Sequence, residues 1–257
     1  LLALLAGLDS RDWDRPTAAP RWSVKDVVAH LLGGDVGVLS RERDAYTPSK
    51  QRIEDYRDLV QLVDRLNDEW VVAARRLSPR VLCDALAFTG PQVEAYFGSL
   101  DLHAVAGPVS WAGPEAAPVW FDVAREFTER WHHQQQIRDA TAQPPLYDPY
   151  FLGPVLATFT RSLPNSFRGV AAPIDSLVRF EISGEAGGVW LLQNRGPEWV
   201  FTAAPTGPPV TDVVVPQEIA WRLFTKGVDR QHARSQAVIR GDADLASPVF
   251  AATAIIG

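Results

Sequence analysis

The sequence predicts an α+β protein, with a helical bundle over residues 1–149 followed by a smaller α+β domain over residues 150–257. Two observations carry this. Apolar residues recur at helical spacing through the first half, and short apolar runs punctuated by glycine appear only after Pro149.

The elements follow in order. Leu1 to Leu8 is the tail of a first helix, and the proline-containing stretch from Trp13 to Arg21 is a connector. Ser23 and Asp26 form a capping box in which Asp replaces the usual Glu or Gln. Val24, Val27, Val28, Leu31 and Leu32 then trace one face of a second helix. A third runs from about Ile53 to Leu77, with Leu59, Leu62, Val63, Leu66 and Trp70 on one face and Pro79 beyond its end. A fourth is expected from Pro91 to about Val105, and a long fifth from about Glu115 to Ala142, closed by Pro144 and Pro145. A further helix from Phe151 to Leu163 is stopped by Pro164. Strands follow at Leu177 to Ser183, Val189 to Asn194, Trp199 to Ala203 and Val210 to Val215, the first three separated by glycines as in a meander. Gln217 to Thr225 reads as helix, Ala237 to Arg240 as a short strand, and Asp244 to Ile256 as a closing helix.

Composition excludes several classes. With 46% hydrophobic and 22% charged residues, the chain is neither disordered nor fibrous. The single cysteine, Cys83, excludes an internal disulfide and any multi-cysteine zinc finger, and fits a reducing, cytoplasmic setting. Thirty-one acids against 25 bases, with no basic run, argue against nucleic acid as a partner. The longest apolar stretches fall far short of the ~20 residues that span a bilayer, so no membrane partner is expected. The N-terminal Leu-Leu-Ala-Leu-Leu-Ala lacks a basic segment before it and runs into Asp9 and Arg11, unlike a signal peptide. Arginine outnumbers lysine 22 to 3, a skew typical of a GC-rich genome.

Chemistry concentrates at three residues. Glu129 and His133 are four apart on the fifth helix, so their side chains stack on one face, a spacing that suits two ligands of one metal ion. His30, off the apolar stripe of the second helix and flanked by Asp26, Gly33, Gly34 and Gly37, is the candidate third ligand. Three protein ligands leave one position open for chemistry. The bland readings stand beside this one. Glu–His pairs at this spacing are common on solvated faces, a lone histidine is more often packed or capped, and a glycine row also serves close helix packing. His132 points about 100° away from His133 and belongs behind the ligands or at the surface. His103 and His232 have no partner pattern, and nothing marks Cys83 as a nucleophile.

Three segments resemble the mycothiol-dependent maleylpyruvate isomerase family of the DinB-like superfamily. They are Trp13-Asp-Arg-Pro-Thr17 with Trp22-Ser-Val-Lys-Asp-Val-Val-Ala-His-Leu31, then Phe127-Thr-Glu-Arg-Trp-His-His-Gln-Gln-Gln-Ile-Arg-Asp-Ala140, and the C-terminal Ile239-Arg-Gly-Asp-Ala-Asp-Leu-Ala-Ser-Pro-Val249. The resemblance implies a DinB-like four-helix bundle whose His, Glu and His metal ligands fall on His30, Glu129 and His133. It further implies zinc as the metal, mycothiol as thiol co-substrate and an actinobacterial source. A cationic group from the C-terminal domain is implied as well, for which Arg222, Arg230 and Arg234 are candidates. His132 stands where the family often carries an apolar residue, and as such is a possible competing ligand.

The expected activity is therefore a metal-dependent isomerase or S-transferase that uses a low-molecular-weight thiol on a small electrophile. Two alternatives are a metal-dependent hydrolase, which would need a base that no residue supplies, and a non-catalytic module binding an apolar ligand between the domains. Trp111, Trp120 and Trp131 would line such a pocket, although large aromatics are usually core residues. Substrate and oligomeric state are not encoded in any motif.

Overall fold

A computed structural model describes residues 1–47 and 53–255. It is an α+β protein whose packing divides into two units, Leu1–Ala104 with Glu129–Pro145, and Val105–Thr128 with residues 146–255. The second unit thus begins close to residue 150 in its main part and also takes in residues 105–128, which the sequence places in the bundle.

The first unit is the helical bundle. Helix α1 spans Leu2–Ala6, α2 Val24–Gly37, α3 Tyr56–Ala74 and α4 Pro79–Gly98. Helix α5, Val119–Ala140, contributes its second half. Leu4 and Leu5, the apolar stripe Val24, Val27, Val28, Ala29, Leu31 and Leu32 of α2, Ala74, Leu82 and Leu86, and Ile137 belong to one buried cluster. The capping box that opens α2 is present in full, with Ser23 accepting from the Asp26 amide and Asp26 accepting from the Ser23 amide. Asp26 also receives a two-pronged contact from Arg75, Nε at 2.9 Å and Nη2 at 3.0 Å, which ties the end of α3 to the start of α2. Trp70 donates to the Ala29 carbonyl at 2.7 Å and lies against Gly33, where a Cβ would meet its ring at 2.6 Å. Close packing therefore explains Gly33, the contact of one helix with another's indole.

Deeper in α2, fully buried Asp35 accepts from Thr89 Oγ1 of α4 at 2.6 Å and from Arg130 of α5. One carboxylate holds three helices. Burial lowers the Arg130 pKa, so this cation depends on Asp35 for compensation.

Several boundaries differ from the sequence expectation. The fourth helix starts at Pro79, capped by Ser78, so Pro79 follows the end of the third helix and also opens the fourth, and Pro91 lies inside it. Proline is tolerated at a first turn because the missing N–H has no helical partner there. Val105 belongs to strand β1, Val105–Pro108, which pairs with β2, Ala116–Pro118. Leu66 of α3 is exposed, and only the end of that helix reaches the core.

The second unit contains helices α6, Pro149–Phe159, and α7, Leu163–Ser166. Pro164 does not end a helix there but stands in the first turn of α7. A five-stranded sheet follows, formed by β3 (Leu177–Ser183), β4 (Gly188–Asn194), β5 (Trp199–Phe201), β6 (Thr211–Pro216) and β7 (Val238–Gly241). The spatial order is β5-β4-β3-β6-β7. The first three strands form the expected antiparallel meander, and β6 joins β3 in parallel. Helices α8 (Gln217–Phe224), α9 (Arg230–Ser235) and α10 (Ala243–Ala251) complete it, α9 having no counterpart in the sequence reading. Phe180 of β3 and Phe159 of α6 both meet Phe224 of α8 in its core. Of the expected closing helix, Ile256 lies outside the described residues.

Two outcomes follow from the bundle. Burial raises the Asp26 carboxyl, but the contacts with Arg75 and Ser23 outweigh it and leave the pKa lowered. A carboxyl lowered by folding adds stability above its unfolded value of about 3.9, and that stability is lost as pH falls through the folded value. Asp26→Asn should cost about 1 kcal/mol at neutral pH, a modest figure because Arg75 is half exposed, and the deficit should shrink below about pH 4 in urea titrations. A deficit that does not change with pH would refute the assignment. Asp35→Ala leaves Arg130 without its counter-ion and should cost about 3 kcal/mol, read as a lowered denaturation midpoint, while Thr89→Val should cost less.

Candidate metal centre

The cap at Ser23 fixes the register of α2 and places His30 two turns into it. Glu129 and His133 follow one another at one-turn spacing on α5. The helices bring the three together. His30 Nε2 lies 3.0 Å from Glu129 Oε1, and His133 Nε2 lies 3.1 Å from the same oxygen. The three donor atoms fall within 4.8 Å of one another, the one such group of His, Cys, Asp and Glu among the described residues. Ligands held about 2.0–2.2 Å from a tetrahedral ion stand roughly 3.3 Å apart, so the donor set and its spacing suit a zinc-like cation.

Electrostatics agrees with that reading. Burial works against charge on Glu129, yet the charge of His133 and the hydrogen bonds from both imidazoles hold its carboxyl well below the usual range. Burial also opposes charge on His133, but Glu129, aided by Gln136, raises its pKa. For His30 burial prevails over the Glu129 contact, the charge of His133 adds to it, and the pKa is lowered. The pocket favours positive charge beside Glu129 while resisting two protonated rings together. One cation held by all three groups meets both conditions.

The environment is dry on one side and open on another. The His30 and His133 side chains are only 11% and 9% exposed, whereas that of Glu129 is 42% exposed. Trp22 covers the imidazoles, with ring centroids 4.8 Å from His30 and 6.4 Å from His133. The connector fixes this residue, since Trp22 N–H donates to Ala19 and its carbonyl accepts from Thr17. A Cβ on Gly34, one turn beyond His30, would meet nothing within 4 Å, so that glycine leaves open space.

On α5, residues 131 to 137 are all buried, including the polar run from His132 to Gln136. His132 is therefore not at the surface. It lies behind the ligands, its ring 4.8 Å from that of His133, and its Nε2 is 3.1 Å from the Gln136 amide nitrogen. Gln136 Oε1 is 2.9 Å from His133 Nδ1. Sequence reasoning missed Gln136 and the covering role of Trp22. The spacing of Gln136, three and four residues after the paired histidines, was a readable signal for the first. For the second, no spacing rule connects a connector residue to a helix face.

The other candidates lie apart from this cluster in the chain. Arg222, Arg230 and Arg234 belong to the second unit. Arg222 stacks on Trp221, Arg230 is exposed at the start of α9, and Arg234 is tied to Ser247 and the Ala243 carbonyl. His103 and His232 are exposed. The Cys83 thiol is pushed up by burial and by Asp84, the reverse of an activated nucleophile. Trp111 and Trp131 are buried, as core residues are, while Trp120 lines a cavity of about 220 Å³ in the second unit with Phe121, Arg161 and Phe201. No helix among the described residues is long and apolar enough to cross a membrane.

Comparison with known proteins places these features. None of the curated proteins matches the chain. Two crystal structures described as the mycothiol-dependent maleylpyruvate isomerase, one of them a mutant, match its fold with a TM-score of 0.52 each. They are 9% and 10% identical to it, and each match covers 86% of this chain and 81% of the other. A model of the mycothiol maleylpyruvate isomerase N-terminal domain matches residues 1–138, a span that includes His30, Glu129 and His133. The chain belongs to the mycothiol maleylpyruvate isomerase N-terminal domain family.

Proposed function

We propose that this protein is a metal-dependent enzyme that uses a low-molecular-weight thiol, mycothiol by family, to isomerise or to transfer sulfur to a small electrophile. The observation that carries the reading is the convergence of His30 and His133 on one oxygen of Glu129. Zinc is the ion this donor set suits best, and when bound it supplies the charge that keeps a thiol deprotonated near neutral pH.

The chain's own residues do the rest. His30, Glu129 and His133 hold the ion between two helices that Asp35 and Arg130 lock together. Trp22 excludes water from the imidazole side. Glu129 keeps an exposed flank toward which thiol and substrate can approach. A cis-enone fits this chemistry. Addition of a thiolate converts its double bond to a single bond, rotation follows, and elimination of the same thiolate gives the trans isomer. An epoxide, or a carbon with a leaving group, would keep the sulfur instead. For the cationic group expected near an acidic substrate, Arg222, Arg230 and Arg234 of the second unit are the candidates.

Reconstituted protein should carry one zinc per chain by elemental analysis, and His30→Ala, Glu129→Ala and His133→Ala should each lose most of it. Retained zinc in all three would end the reading, and turnover of an electrophile that is indifferent to thiol would favour a hydrolase. Recovery of free thiol after turnover distinguishes isomerisation from transfer. Gly34→Leu should retain the zinc and gain helix propensity of about 1 kcal/mol, yet lower thiol-dependent turnover about tenfold or more by filling the space over the turn that carries His30. Unchanged turnover would place the approach route elsewhere.

A further inference from the structure

We propose that Gln136 is a positioning residue for this centre. The inference rests on the metal-centre reading above and extends it to a residue outside the ligand set. Gln136 and His132 are both buried, on the same helix as two of the ligands. The Gln136 side chain stands between the two histidine rings, with its oxygen 2.9 Å from His133 Nδ1 and its nitrogen 3.1 Å from His132 Nε2.

The direction of each bond follows from the groups. An amide oxygen can only accept, so His133 Nδ1–H donates to it. An amide nitrogen can only donate, so it gives its proton to the lone pair of His132 Nε2. With Nδ1–H held by Gln136, the proton at Nε2, which donates to Glu129, is the one an ion would displace, leaving the lone pair of the neutral ring there. That is the tautomer a metal ligand needs. If Gln136 turned over, its N–H would face His133 Nδ1 and the ring proton would move to Nε2, closing the ligand atom to an ion. Such outer partners typically contribute 10–100-fold to metal affinity.

The same network gives a reason for a buried polar run on α5. Gln136 bonds to both rings, so its amide is buried with both ends paired.

The test compares zinc affinity, by competition with a chromogenic chelator, in the full chain and in the Gln136→Leu, Gln136→Glu and His132→Phe variants. Gln136→Leu removes the acceptor and should weaken zinc binding by about 10–100-fold. Gln136→Glu keeps an oxygen on His133 Nδ1 and should bind zinc at least as tightly as the unsubstituted chain. His132→Phe keeps the ring volume but frees the amide, with a smaller loss of affinity than Gln136→Leu. Long-range proton–nitrogen spectra of the zinc-loaded protein supply a reading that packing alone would not move. They should show His133 bound through Nε2, with a slowly exchanging Nδ1 proton in the unsubstituted chain and in Gln136→Glu, and a rapidly exchanging one in Gln136→Leu. If Gln136→Leu does not fold, the Gln136→Glu and His132→Phe affinities and spectra still decide. Unaltered affinity and exchange in Gln136→Leu, or a loss in Gln136→Glu equal to it, overturns the proposal while leaving the metal centre intact. Failure of the unsubstituted chain to bind zinc overturns the metal reading itself, and this proposal with it.

Discussion

A single carboxylate oxygen, Oε1 of Glu129, is the point on which the candidate centre of this chain is built. Two imidazoles reach it from different helices, His30 from α2 and His133 from the next turn of α5. An arrangement of this kind is unfavourable unless positive charge lies between the groups, because burial penalises each charge separately. The cluster therefore favours positive charge beside Glu129, which a protonated imidazole or a bound cation would supply. The buried contact of Asp35 with Arg130, the residue after Glu129, pins α5 to α2 beside the cluster. That pair stands beside the candidate ligands, while the Glu129 side chain is partly exposed and the space over Gly34 is open.

Helix α5 is unusual in its economy. A helix buried over two full turns is ordinarily apolar all round, and this one carries two histidines and three glutamines in that stretch. Buried polar groups persist where hydrogen bonds satisfy them. Here Gln135 is bonded to Asp139, and Gln136 bridges His132 and His133. The polar interior of the bundle is thus continuous with the candidate centre, which links a packing anomaly to function.

The family match and the fold likeness carry different weights. The match over residues 1–138 assigns the family on the half of the chain that contains the cluster. The solved structures, at about a tenth identity, speak for the fold and leave substrate to the site. The second unit holds the cavity beside Trp120 and Arg161.

Local physics made much of the fold legible in the sequence. The capping box at Ser23 and Asp26, the apolar stripe of α2 and the glycine-bounded meander of β3, β4 and β5 all depend on neighbours within a few residues, and all are present. Pro164 misled because proline is equally at home in a helix's first turn and after its end, and Pro91, read as a helix start, lies inside α4, which begins at Pro79. The stacking of Glu129 and His133 was fixed by helical geometry alone. What only the tertiary structure decided is the meeting of that pair with His30, the cover of Trp22 and the burial of Gln136. Those depend on contacts between residues as much as a hundred positions apart, and such contacts are set by how helices pack rather than by any spacing along one of them.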